Sequence, residues 1–417
     1  MQLRRVLIDV EPLRGCPPFR RLWFGRSLSA LGSQLSFVAV LFQIWQATGS
    51  TVWAGAVGLA QALPLVLLGL FAGALVDRVD RRRCYLYGTG GQALCAGLLA
   101  WQGLVAPLPP AGVLGLLAAQ SCCAALSGPA ARAFVPLLLP ARQLAAGLAL
   151  QRVAFQGAML FGPALGGLVV GRWGVGVGYL LDAISFLAAL HGAYRLPQLS
   201  SGGRPARPGQ AGLRDGVAFL ARMPLVRGAL LTDLATTVLS MPVSLFPVVN
   251  SERFGGSPRT LGLFLTALAV GGVAASLCSG AFTRLPRPGR VMLLGSATWG
   301  VSLLLFGLAA NSPVALACLV LAGAADTVAV VSRGTVVQAN TPPEYLGRMA
   351  AVEQIVGQAG PDLGNLRAGV VAGASSAATA LVSGGLLCLA AVAAVAATGP
   401  ELRGSAAFVR RESSAGA

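Results

Sequence analysis

Three stretches of the chain, Val57–Val76, Leu303–Ala325 and Leu381–Thr398, run for at least 18 residues without one ionisable side chain. At about 1.5 Å of rise per helical residue, each can cross a hydrocarbon core about 30 Å thick. Lipid offers no partners to backbone N–H and C=O groups, so spanning segments must be helices or a closed barrel of short alternating strands. These runs are long and do not alternate, which leaves helices. Composition excludes a water-soluble alternative: 55% of the 417 residues are apolar and 11% charged, against about 25% charged in soluble domains.

Reading the apolar runs against Arg, Gly and Pro punctuation predicts twelve spans. The first six are 22–46, 53–76, 84–105, 112–136, 144–171 and 174–195; the second six are 225–249, 260–283, 291–310, 313–337, 348–373 and 376–398. Between them, 196–224 is rich in Pro, Gly, Ser and Arg and reads as a polar linker. The expected organisation is a segment 1–21, a six-helix bundle 22–195, the linker 196–224, a six-helix bundle 225–398 and a tail 399–417. Met1–Arg26 has no apolar core and is interrupted by Pro12, Pro17 and Pro18, so it is not expected to be a cleavable signal peptide.

Arginine placement tests this map independently. All 31 basic residues are Arg. With the N-terminus inside, all but Arg172, Arg253, Arg259 and Arg367 fall in inside segments or the helix ends beside them, as the positive-inside rule requires. Both termini are therefore expected on the cytoplasmic side of the plasma (inner) membrane. The net charge of +17 does not indicate nucleic-acid binding. Its arginines sit in gaps between apolar runs, with no aromatic interleaving suited to base stacking. The eight cysteines lie mostly inside apolar runs without metal-ligand spacing and read as small packing residues. No phosphate-cradling loop, metal cluster or nucleophile–base set is apparent, so neither an enzyme nor ATP hydrolysis is expected, and no cofactor or metal.

The two halves echo each other. Gly73-Ala-Leu-Val-Asp-Arg-Val-Asp-Arg-Arg-Arg83 follows the second span and Gly280-Ala-Phe-Thr-Arg-Leu-Pro-Arg-Pro-Gly-Arg290 the eighth. Gly162-Pro163 interrupts the fifth span and Gly360-Pro361 the eleventh. Such pairing is expected of two structural repeats.

On these motifs the chain resembles the major facilitator superfamily over nearly its whole length. Gly73–Arg83 looks like that superfamily's signature loop between helices two and three, and the copy at Gly280–Arg290 has Thr283 and Arg284 where an acidic residue would stand. Gly162-Pro163-Ala-Leu-Gly166-Gly167 is similar to the Gly-Pro motif of its exporters. Within the superfamily the resemblance is to the enterobactin-exporter-like branch, carried by Gly25–Gly32, Gly162–Gly167, Tyr179–Phe186 and Arg253–Gly256. The resemblance implies an all-α integral membrane protein with the major facilitator fold: 12 helices in two pseudo-symmetric bundles. Helices one, two, four, five, seven, eight, ten and eleven would border a central cavity, with three, six, nine and twelve peripheral.

The signature loop has a physical use. Asp77, at the cytoplasmic end of helix two, can pair with Arg81 or with the N-terminal dipole of a facing helix; by the resemblance that helix is the eleventh, near Arg348. Gly73, Asp77, Arg78 and Arg81 would then form a conformational latch, while Arg78–Arg83 would serve equally as an orientation signal. Ionisable residues inside spans cost about 2.5–3.5 kcal/mol each near the bilayer centre. Arg132, Arg152, Arg333 and Glu353 lie close enough to the cytoplasmic ends to snorkel. Asp326 and Asp362 fall near midplane and Asp233 somewhat shallower, and Arg367 lies about 140° round the helix from Asp362. Asp182, in helix six, reads as structural, bonding Ser185 or a neighbouring helix. His191, the only histidine, reads as an interfacial cap rather than a proton carrier.

Two polar stripes complete the picture. Arg26, Ser29, Ser33, Ser36 and Gln43 share one face of helix one, which suits either a hydrated pathway or interhelical hydrogen bonding. Gln354, Gln358, Asp362 and Asn365 share a face of helix eleven, read as cavity-lining. Desolvation disfavours a carboxylate anion, so buried aspartates suit proton exchange. The expected function is proton-coupled export of a small amphipathic molecule (a siderophore, antibiotic or other secondary metabolite) by alternating access. An importer or uniporter of a small solute is the alternative, and a membrane sensor or scaffold a further one. Expected partners are the substrate, protons and the lipid bilayer.

Overall fold

A computed structural model describes residues 10–76, 80–194, 196, 220, 223–283, 285–341 and 346–404. Among the described residues, regular structure is helical throughout. Proline and small polar residues set many of the helix starts. Proline occupies the first turn where α1 (Glu11–Gly15), α2 (Pro17–Thr48), α5 (Pro110–Leu138), α8 (Pro224–Ser240), α10 (Pro258–Leu277), α12 (Pro288–Leu308) and α16 (Pro400–Gly404) begin. There its missing N–H removes nothing and its fixed φ fits. Side-chain caps open others. Asp80 accepts the N–H of Arg82 at the head of α4 (Arg81–Leu104), at 2.9 Å. Asn311 accepts that of Val314 for α13 (Ser312–Asn340) at 3.0 Å, and Ser376 that of Thr379 for α15 (Ala377–Thr398) at 3.1 Å. The remaining elements are α3 (Thr51–Val76), α6 (Ala141–Trp173), α7 (Val175–Tyr194), α9 (Phe246–Arg253), α11 (Ser279–Thr283) and α14 (Leu346–Ala374).

Among the described residues, ten helical segments are long and apolar enough to cross a membrane. The two other predicted spans, 84–105 and 348–373, are also unbroken helices, α4 and α14. Glycine and glutamine in the first, and ionisable and amide side chains in the second, dilute their apolar character. Outward faces are apolar, with Leu94 66%, Leu277 82% and Leu294 68% exposed. Water would not tolerate such a surface and lipid would favour it.

The structure refines two spans. Predicted span 225–249 is interrupted: α8 stops at Ser240, a 3₁₀ turn covers Val243–Leu245, and α9 follows. Pro242 disfavours helical geometry at its predecessor, and Met241 is extended, at φ −66° and ψ 123°. Span 260–283 divides after Leu277 into α10 and the short α11.

The helices gather into two compact units. Unit 1 comprises Met1–Gly209 with Phe246–Thr266, and unit 2 comprises Gln210–Leu245 with Ala267–Ala417. In unit 1, α2 packs on α7, α6 and α3, and α4 is held between α5 and α7. In unit 2, α8 packs on α12, α13, α14 and α15, and α12 also packs on α13 and α15. Without much hydrophobic drive inside lipid, helices associate through close packing of small residues. Gly300 of α12 and Gly385 of α15 meet in this way: a Cβ on Gly385 would stand 2.7 Å from the carbonyl oxygen of Gly300.

Candidate transport site

Unit 2 carries most of the charge candidates. Asp233 on α8 and Arg333 on α13 form an ion pair through Oδ1 and Nη1, with side chains 8% and 12% exposed. This corrects the expectation that Arg333 snorkels to the interface: it is turned inward and engaged. Glu353 of α14 also acts electrostatically on the Arg333 guanidinium. Asp233 Oδ2 and Arg333 Nε are buried without a hydrogen-bond partner, so the pair is incompletely satisfied. The hydroxyls of Thr236 and Thr237 both donate to the Asp233 carbonyl, each at 2.8 Å. Asp233 is nine residues from the α8 start and Arg333 seven from the α13 end. That places the two charges about 13 Å and about 10 Å from neighbouring helix termini.

Asp326 and Asp362 are each half-buried, on α13 and α14, which both pack on α8. Arg367 runs toward α15, where its Nη2 lies 2.8 Å from the position a Cβ on Gly384 would take. Asn365 is used elsewhere. Its Oδ1 accepts the Ser244 N–H at 3.0 Å, and its carbonyl accepts the Ser244 hydroxyl at 2.8 Å. Asn365 thus serves the backbone group freed by the interruption after α8, a demand that buried polar groups impose. Gln354 and Gln358 fall on α14.

In unit 1 the helix-one stripe meets α4 and α7. Gln43 and Gln102 of α4 exchange two amide hydrogen bonds, of 2.9 and 3.0 Å, and Tyr179 of α7 donates to Gln43 Oε1 at 2.7 Å. Ser33 donates to Asp182 Oδ1 at 3.3 Å, and the Ser185 hydroxyl reaches the Asp182 carbonyl at 2.6 Å. Of the two readings of this stripe, interhelical bonding is the one that Ser33 and Gln43 display. The Gly-Pro motif lies in α6, which continues through Pro163. A Cβ on Gly166 would stand 3.0 Å from the Cα of Leu35 on α2, and one on Gly162 would collide with Gln34. One on Gly167 would collide with the Pro258 carbonyl and stand 3.1 Å from the Gly262 Cα on α10. The motif therefore lets α6 touch α2 and the unit 1 part of α10, backbone to backbone. Of the latch candidates, Gly73 falls in α3 and Arg81 opens α4, while Asp77 and Arg78 lie outside the described residues.

Comparison with known proteins follows this geometry. The model of the transmembrane secretion effector family matches residues 10–407. The enterobactin exporter EntS of Shigella boydii serotype 18 is 29% identical over 364 residues, which is 82% of each chain. EntS of Escherichia coli O157:H7 matches to the same extent. Among solved structures, a POT family transporter in complex with 5-aminolevulinic acid superposes with a TM-score of 0.73 at 12% identity, covering 93% of this chain and 97% of that one. A bacterial homologue of the iron transporter ferroportin gives 0.69 at 16% identity, covering 93% and 98%. These proteins are transporters, not enzymes. The chain is a multi-pass inner-membrane transporter and belongs to the transmembrane secretion effector family of the major facilitator superfamily.

Proposed function

We propose that the chain exports a small amphipathic organic molecule of the siderophore, antibiotic or secondary-metabolite class, in exchange for protons, by alternating access. Twelve spans with both termini cytoplasmic are part of this reading, supported by the arginine distribution. The observation that carries it is the retention of Asp326 and Asp362 deep within helices of unit 2, where insertion scales charge about 2.5–3.5 kcal/mol for each. Their cost is intelligible if they take up and release protons as the site is exposed to one side and then the other. The export direction draws on the relatives' printed activity and on the Gly-Pro motif. The latch formed by Gly73, Asp77, Arg78 and Arg81 belongs to the same proposal, making and breaking a charge contact as access alternates.

The test is flux in inverted membrane vesicles with an acid interior, using enterobactin and a small panel of amphipathic cations as probes. Export predicts gradient-driven accumulation of a probe, and Asp362→Asn should abolish the gradient-driven part. Full activity in that variant removes Asp362 from the mechanism. Flux of the opposite sign establishes an importer, and silence toward every probe under every gradient favours a sensor or scaffold.

A further inference from the structure

An open groove of about 630 Å³ runs along unit 1 where α2 meets α7, within the range of about 300–1,000 Å³ typical of small-molecule sites. Its origin is a close helix contact. A Cβ on Gly25 would stand 2.8 Å from the Ala188 carbonyl oxygen, and one on Gly192 would stand 2.6 Å from that of Arg21. The two backbones touch there and leave a trough alongside. The trough has an apolar wall and a basic rim. Phe24 and Leu28, 58% and 46% exposed, form the wall. Arg20, Arg21 and His191 form the rim, with Arg20 and His191 exposed. Among the described residues, no acidic side chain lines it. Trp23 lines the same groove.

We infer that this groove holds one anionic phospholipid of the cytoplasmic leaflet, its phosphate among Arg20, Arg21 and His191 and an acyl chain along Phe24 and Leu28. Charge complementarity selects the headgroup, since arginine forks match phosphate oxygens and basic pockets between helices at the cytoplasmic face recruit anionic lipids. The exposed aromatic and aliphatic wall beside that rim selects a molecule with a tail, which free phosphate lacks. Trp23 in the lining suits headgroup depth, the level at which tryptophan belongs. Assignment to the cytoplasmic leaflet rests on the orientation proposed above. The lipid preference itself is read without transport, so the two can fail separately.

The experiment is native mass spectrometry of the full-length protein offered equimolar phosphatidylglycerol and phosphatidylcholine. Each arginine near a membrane surface contributes about fivefold, and the pair about 30-fold, in favour of the anionic lipid. Wild type should retain one phosphatidylglycerol per chain with a preference of that order. R20Q/R21Q should approach parity, R20K/R21K should keep most of the preference, and R142Q/R287Q, exposed arginines outside the groove, should behave as wild type. Equal retention of the two lipids by wild type overturns the inference whether or not any variant folds. So does an equal loss in R142Q/R287Q. Displacement of the lipid by equimolar glycerol phosphate would make the site one for a soluble anion and also overturn it.

Discussion

Removing either member of the Asp233–Arg333 pair should destabilise unit 2 far more than removing both. The two side chains are almost fully shielded, and stranding one charge of a buried pair costs about 3–5 kcal/mol, largely because the survivor has lost its compensation. Glu353 remains near the guanidinium in Asp233→Asn, which sets that variant near the lower limit, at about 3 kcal/mol. The double variant Asp233→Asn/Arg333→Gln strands neither member of the pair and costs only the half-buried Glu353 the guanidinium it faces. Because Oδ2 and Nε are already unpartnered in the native pair, neutral replacements give up little, and the double variant should lie within about 1 kcal/mol of wild type. The resulting coupling, at least about 5 kcal/mol when the double is set against the sum of the singles, is very large for a contacting pair. The assay is thermal unfolding of the four proteins in one lipid nanodisc composition, followed by tryptophan fluorescence. Additivity of the single effects to within about 0.5 kcal/mol would show that the two charges do not support each other, and the reasoning would fail.

Further predictions concern packing. Gly323→Ala places a methyl group against the Leu268 carbonyl, part of a backbone that cannot swing aside; about 1–3 kcal/mol of overpacking should follow. Gly97→Ala meets nothing within 4 Å and should melt as wild type, so equal melting of the two variants refutes the close approach. Tyr179→Phe removes one donor from Gln43 Oε1, which keeps its bond from Gln102; a loss of about 0.5–1.5 kcal/mol is expected. Gln43→Leu strands both Gln102 and the Tyr179 hydroxyl and should be clearly worse, and a reversed order in thermal unfolding would refute the network.

Local rules made much of this chain legible. The uncharged runs became helices, and the less apolar stretches 84–105 and 348–373 are helices too. What the sequence concealed depends on partners distant along the chain. Pro64, Pro163 and Pro361 sit within continuous helices, whereas the helix stops before Pro242. At that interruption the side chain of Asn365, 121 positions away, accepts the freed, buried amide of Ser244, and no periodicity announces that. Arg333 is similar: its place near a helix end suggested snorkelling, and its actual partner lies on another helix. A stripe such as Ser33 and Gln43 fixes the face of a helix but not the neighbour that meets it. Here those neighbours are Asp182, Gln102 and Tyr179.

Membership of Phe246–Thr266 in unit 1 has a consequence for the polar connection at 196–224. A protease nick there would leave the downstream fragment still owning a piece of the upstream body, like a thread stitched through both cloths. Two fragments cut at that point should therefore co-purify, and cleavage of the connection would report its accessibility rather than the falling apart of the protein.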